Sequence, residues 1–236
     1  MLKIAQFIIL FLFLSNYCYS QTDADYIKKG IELEKANKLN DAIKEYDKAI
    51  LVNPNSIQAY ANRGNTKMRL GKKEDALKDF NKAISINPKI AALYNTKGII
   101  LDELGRRAEA LAAFNKSIAL NPNNADAYYN KGLTYANAND KLNAVKNYTK
   151  CIQIDVKYFQ AYVNRGNIKN SEGKFSEALK DFNTAAKLNP SFSLIYYNRA
   201  VSKAGIGDTL NACLDLKKCQ SLGFKPADEL LKQYCK

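Results

Sequence analysis

The 236-residue chain contains no histidine. That absence removes the commonest general base and the commonest metal ligand. A glycine loop that could cradle phosphate is also missing, as is a nucleophile elbow. Carboxylate pairs such as Asp102-Glu103 fall on helix ends within a periodic pattern and read as solvated groups. Four cysteines follow residue 20, but without histidine at a suitable spacing they do not make a metal site. Beyond residue 20 no stretch is apolar enough to span a bilayer, and despite a formal charge of +13 no run of five basic residues occurs. These absences leave no catalytic constellation, no call for a cofactor and no transmembrane segment in the body of the chain. The reading is of a protein that is not an enzyme.

What is present is a period of 34 residues. Gly30, Gly64, Gly98, Gly132 and Gly166 are spaced by it, and the next step falls on Ala200. A second comb reads Ala42, Ala76, Ala110, Ala144, Ala178 and Ala212, and a third Tyr46, Phe80, Phe114, Tyr148, Phe182 and Leu216. Ahead of each glycine position stands a tyrosine: Tyr26, Tyr60, Tyr94, Tyr128, Tyr162 and Tyr196. Self-similarity at this interval is the mark of an array of helical hairpins, each meeting mainly its neighbours, and such arrays usually serve as binding surfaces.

Residues 1–20 stand outside the period. Lys3 provides a positive start, Ile4 to Leu14 form an apolar run broken only by Gln6, and Ser15 to Ser20 close it with small polar residues. This is the pattern of a secretory signal peptide, and the run is too short for an ordinary transmembrane helix; an uncleaved anchor is the alternative. Tyr17 and Ser15 depart from what lipidation at Cys18 would need. The expected product is exported, periplasmic or extracellular. Removing Lys3 leaves 35 basic against 23 acidic residues, or +12. Such a surplus suits an anionic envelope component, acidic glycan or lipid, while export makes nucleic acid an unexpected partner. Lysines spaced along the second helices also account for it as simple solvation.

In the second copy of the repeat the expected first helix runs from Ile57 to Leu70. Gly71-Lys72-Lys73 turns the chain, a second helix covers Lys73 to Ile86, and Asn87-Pro88 ends it. Gly64 and Ala76 let the pair approach closely, Tyr60 and Phe80 fill the space beside them, and Ala83 faces the next hairpin. These residues, in this order and spacing, resemble the tetratricopeptide repeat (TPR) family. Six copies are expected at residues 23–56, 57–90, 91–124, 125–158, 159–192 and 193–226, with a capping helix in 227–236. The resemblance implies an all-α fold, a right-handed α-solenoid whose first helices line a concave groove. Val156 departs from the usual proline, and repeat six departs through Ala200, Leu216 and Gly223-Phe224. Leu230, Leu231 and Tyr234 are expected to cap the last hairpin.

The seventh repeat position is basic throughout: Lys29, Arg63, Lys97, Lys131, Arg165 and Arg199. Sixteen residues on stand Glu45, Asp79, Ala113, Asn147, Asp181 and Asp215, so each arginine is matched to an aspartate. Structural bridges Arg63–Asp79, Arg165–Asp181 and Arg199–Asp215 are one reading; a ligand-contacting strip is the other. Among the cysteines a Cys213–Cys235 disulfide is one possibility, while Cys151 and Cys219 occupy the small-residue position of a second helix and fit equally as buried thiols.

Carried over from the family, the groove positions of the first helices are rich in asparagine. The candidate peptide-binding residues are Asn62, Asn65, Asn95, Tyr129, Asn130, Asn164, Asn167, Tyr197 and Asn198. Asparagine offers donor and acceptor together, and the row resembles the asparagine ladder by which some TPR proteins hold extended peptides; family consensus explains it as well. Lysines required by the family's carboxylate clamp are missing. The functional expectation is an exported, non-catalytic scaffold that binds protein or peptide segments. The alternatives are an envelope polyanion binder and a self-assembly module.

Overall fold

The computed structural model describes residues 21–235. The signal segment expected at residues 1–20 lies outside the described residues. Those described form thirteen α-helices and no strand. They divide into two compact units, one ending at Pro88 and one beginning at Lys89. The first unit holds α1 (Asp23–Lys35), α2 (Leu39–Val52), α3 (Ile57–Arg69) and α4 (Lys73–Ile86). The second holds α5 (Ala91–Glu103), α6 (Arg107–Leu120), α7 (Ala125–Asn137), α8 (Lys141–Ile154), α9 (Phe159–Ser171), α10 (Phe175–Leu188), α11 (Ser193–Gly205), α12 (Thr209–Ser221) and α13 (Ala227–Tyr234). Within each unit the helices pack in sequential pairs, an all-α stack of hairpins.

Local chemistry sets the helix ends. Thr22 accepts from the Asp25 backbone N–H while Asp25 caps Thr22 in return, closing a capping box on α1. Ser56 and Asn124 cap α3 and α7 by accepting from Ala59 and Ala127. Between the two helices of a hairpin the chain reverses through a left-handed residue, as at Gly71 with φ 75°. Repeats one and four place Asn37 and Asn139 there, at φ 57° and 59°, because asparagine tolerates this region better than other side chains.

The glycine comb has a specific cause. At Gly98 an added Cβ would lie 2.5 Å from Cε1 of Phe114 and 2.8 Å from its Cζ. The obstacle is the ring at the third comb rather than the alanine at the second. Repeat six uses a coupled exchange: Ala200 and Leu216 are both buried in one cluster with Phe182, Ile195 and Ala212. A leucine presents no flat ring to the facing helix, so a methyl group fits at the glycine position.

Leu230, Leu231 and Tyr234 of α13 pack against that same cluster, beside the fully buried Ala227. Cys235 is joined to Cys213 of α12, with the two Cα atoms 5.2 Å apart. Cys151 and Cys219 are buried thiols. Burial pushes the Cys151 thiol up to about 12 and Cys219 upward as well, so neither supplies thiolate at neutral pH. Since α13 has only eight residues and is tied to α12 near its end, reduction should release it first. Hydrogen exchange after mild reduction should show the amides of α13 losing protection while those of α1 to α10 keep theirs.

Candidate functional site

The basic ladder and the first-helix amides occupy separate places on the hairpin. Arg165 shows the ladder's chemistry most fully. Its Nε and Nη2 donate to the two carboxylate oxygens of Asp181 at 3.0 and 2.6 Å, a bidentate pairing. Lys169, one turn further along α9, reaches the same carboxylate at 3.0 Å. Arg63, Lys67 and Asp79 repeat this arrangement, as do Arg199, Lys203 and Asp215. The three aspartates are buried, whereas arginine and lysine keep part of their surface in water.

The electrostatics follow from that burial. Hydrogen bonding to Asp215 raises Arg199 above its ordinary value against the opposing effect of burial. Burial alone would lower Arg63, but Asp79 and Asp47 together carry it upward. Each arginine also reaches back to the preceding second helix: Arg63 to Asp47 at 2.5 Å, Arg165 to Thr149 at 3.0 Å, Arg199 to Asn183 at 3.0 Å. The ladder therefore clips three helices together. The backward contact lies sixteen residues before the arginine, the mirror of the forward spacing. Its partner changes from aspartate to threonine to asparagine, so no single residue type marks it in the sequence.

Among the lysine members, Lys29 pairs with Glu45 at 3.2 Å, and Lys131 donates to Asn115 at 2.7 Å. The lysine that completes each aspartate triad, Lys67, Lys169 or Lys203, becomes Leu33, Leu101 or Tyr135 in the repeats without an arginine. Basic side chains at both positions thus occur only where a buried aspartate accepts them.

The first-helix amides are engaged unequally. In the unit from Lys89, Asn130 donates to Oδ1 of Asn95 at 3.2 Å and Asn164 donates to the Tyr129 hydroxyl at 3.1 Å. Asn170 donates to the backbone carbonyl of Asn198 at 3.1 Å, and Ser202 donates to Asn170 at 2.6 Å. Tyr129 also packs against the rings of Tyr158 and Tyr148, with centroids 4.8 and 5.8 Å away. Burial pushes its hydroxyl upward, with the Asn164 bond opposing. Tyr197 lies edge-on against Phe224 at 5.3 Å. These residues form a braced surface in which part of each amide's capacity goes to neighbouring first helices. Among the described residues, the side chains of Asn167 and Asn198 make no internal hydrogen bond, although both are half-buried.

In the unit ending at Pro88 the same face looks different. Asn62 is half-buried and Asn65 exposed. A cavity of about 310 Å³ opens along α1, lined by Ala24, Ile27, Ile31, Lys28, Lys35 and Gln58 together with Glu32. Lys28, in place of the asparagine found at this position in repeats two, four, five and six, stands at the rim of a small apolar hollow. Ile27 and Ile31, one helical turn apart, were the available signal.

Family models match along the chain. The tetratricopeptide repeat model matches residues 57–90 and 159–192, a TPR repeat model residues 32–71 and 100–139, and a further tetratricopeptide repeat model residues 125–157. The chain belongs to the tetratricopeptide repeat family, whose all-α fold is that of protein–protein interaction scaffolds. Among solved structures it is similar to MamA at 28% identity and a TM-score of 0.62, over 68% of this chain and 94% of that one. Similarity to YrrB, a TPR protein with an unusual peptide-binding site, is 23% with a TM-score of 0.61, covering 80% and 96%. A chain of the APC/C hetero-tetramer Cut9–Hcn1 matches at 16% identity and a TM-score of 0.74; it covers 91% of this chain, which spans only 43% of its length. No curated protein matches. With 413 solved chains sharing the fold, the architecture by itself selects no partner.

No helix of the described residues is long and apolar enough to cross a membrane. Nor do those residues contain a cluster of cysteine, aspartate and glutamate able to hold a metal ion.

Proposed function

We propose that this protein is an exported, non-catalytic scaffold whose first-helix face binds an extended segment of a partner protein. The observation that carries this reading is the row of half-buried amides held in place by one another. Asn130 on Asn95 and Asn164 on Tyr129 are fixed before any ligand arrives, so little side-chain freedom is lost on binding. Each asparagine amide has two N–H donors and a carbonyl. One internal bond therefore leaves capacity for the backbone of a peptide. In the unit ending at Pro88, the cavity at Ile27 and Ile31, with Lys28, Glu32 and Lys35 around it, would offer an apolar anchor of its own. Export is supported by the apolar segment at residues 4–14 and by the Cys213–Cys235 pair, which suits an oxidising compartment.

The test is affinity capture from a native envelope extract with the parent and an Asn167→Ala/Asn198→Ala variant. Neither side chain has an internal hydrogen bond, so the variant should keep the parent's helicity and melting temperature. Partner proteins held by the parent should be lost by the variant. Retention by both, with elution at moderate salt, would move the function to the basic surface and a polyanion. A concentration-dependent sedimentation coefficient without any partner would favour self-assembly.

A further inference from the structure

Repeat four departs from the charge pattern of the other five. Every other repeat keeps at least one carboxylate at two positions of its second helix: Asp41 and Glu45, Asp75 and Asp79, Glu109, Glu177 and Asp181, or Asp215. In repeat four both positions are asparagine, Asn143 and Asn147. The cations are kept. Lys131 of α7 and Lys146 and Lys150 of α8 all border one cavity of about 510 Å³ together with Tyr128 and Tyr135, and the Lys131 ammonium lies 5.9 Å from the centroid of the Tyr135 ring. No carboxylate lines it. The corresponding hollow of repeat three is about 270 Å³ and includes Glu109 beside Lys97 and Lys116.

The remaining polar groups do not neutralise these lysines. Lys131 is half-buried and donates to Asn115, a neutral acceptor, at 2.7 Å. Burial pushes its ammonium below the ordinary value and Lys146 adds to that push. Among the described residues neither Lys146 nor Lys150 forms an ion pair. Asp140, at the start of α8, is turned onto Asn143, accepting from its amide at 2.8 Å. Asn147, at the sequence position of Asp79, Asp181 and Asp215 in their own repeats, donates back along its own helix to the Asn143 backbone carbonyl at 2.7 Å.

We propose that this cavity binds a small phosphate or sulfate ester, whose oxyanion sits among Lys131, Lys146 and Lys150 and whose organic body lies against Tyr128 and Tyr135. In repeats two, five and six one buried carboxylate accepts from two cationic side chains. Repeat four gathers three lysines and supplies no acid, so a doubly charged oxyanion matches it better than a carboxylate. Lysine suits that role as a mobile point charge with three donors. A recess lined by charge of one sign concentrates the counter-ion. The volume falls within the roughly 300–1,000 Å³ of small-molecule sites and exceeds what a bare phosphate needs, which argues for an ester with a ring or chain. This site lies within repeat four and does not depend on the peptide-binding reading of the first-helix face.

The test is calorimetric titration of the full-length protein with phenyl phosphate and with inorganic phosphate, using three variants. Phenyl phosphate should bind the parent at one saturable site, and more tightly than inorganic phosphate. Asn147→Asp installs the carboxylate of the other repeats and should weaken binding at least tenfold. Lys146→Gln/Lys150→Gln changes only exposed side chains and should do the same, which keeps the test decisive if the first variant folds poorly. Lys180→Gln removes one positive charge in repeat five and should leave the affinity unchanged. Equal weakening by Lys180→Gln would overturn the site in favour of diffuse charge. So would the absence of saturable phenyl phosphate binding alongside capture of phosphatidic acid vesicles, which would assign the lysines to a lipid surface.

Discussion

Asp181→Asn is expected to lower the stability of the protein by about 3 kcal/mol, measured by denaturant unfolding. The carboxylate is buried and accepts from Arg165 on both oxygens and from Lys169 on one. Removing its charge leaves two cations facing each other, and breaking one side of a buried pair costs about 3–5 kcal/mol. The lower end applies because Arg165 and Lys169 keep 16% and 17% side-chain exposure, so water can solvate them in part. Adding Lys169→Tyr to that variant should recover a measurable share of the loss. Repeat four already combines asparagine and tyrosine at these two positions, as Asn147 and Tyr135. If Asp181→Asn costs less than about 1 kcal/mol, the ladder behaves as an exposed surface bridge and its structural role is withdrawn.

Gly98→Ala is expected to destabilise by about 2 kcal/mol, even though alanine is the better helix former. Replacing glycine within a helix gains about 1 kcal/mol of propensity. Against that, the new Cβ would meet three ring atoms of Phe114 within 2.8 Å, and inserting carbon into a packed contact costs about 1–3 kcal/mol. The whole ring face must move rather than a flexible tip, so the penalty belongs at or above the top of that range. Phe114→Leu alone should cost stability by opening a cavity. The pair Gly98→Ala/Phe114→Leu reproduces Ala200 and Leu216 of repeat six and should be more stable than the sum of the single changes implies. Additive single effects would mean that the ring and the glycine are not in contact.

Much of the fold was legible because its signals are local and recur. Ile57, Gly71, Lys73 and Pro88 mark helix starts and stops through capping and backbone preference, and the repeat provides six chances to read them. The Arg–Asp pairing was visible for a different reason, since the two residues covary between repeats of a single chain. Its backward half was not. Asp47, Thr149 and Asn183 share a place in space but no common side-chain chemistry beyond an oxygen that accepts a hydrogen bond.

The candidate site divides along the same line. Asn130, Asn164 and Asn198 were selected because first-helix positions in this family face the groove. That choice says nothing about which amides are already in use. Distances across neighbouring helices distinguish Asn130 and Asn164, which brace Asn95 and Tyr129, from Asn167 and Asn198, which have no such bond. Tyr197 reads as a groove side chain by position, yet its ring packs on Phe224 from beyond the last hairpin. The cavity in repeat four is another case. Loss of acid at Asn143 and Asn147 is written in the sequence, but a missing acid alone marks no site; the surrounding space is set by how α7 and α8 pack.

By itself, then, the amino-acid sequence determined the period, the helix boundaries, the close approach of glycine to its neighbouring helix and the forward aspartate partners of the arginines. Each depends on residues at fixed separation, where chain geometry leaves few alternatives. Only the tertiary structure decided which asparagines remain available, which tyrosines are covered and where three lysines enclose a space. Those outcomes depend on how side chains of different helices meet in space, and no local preference encodes them.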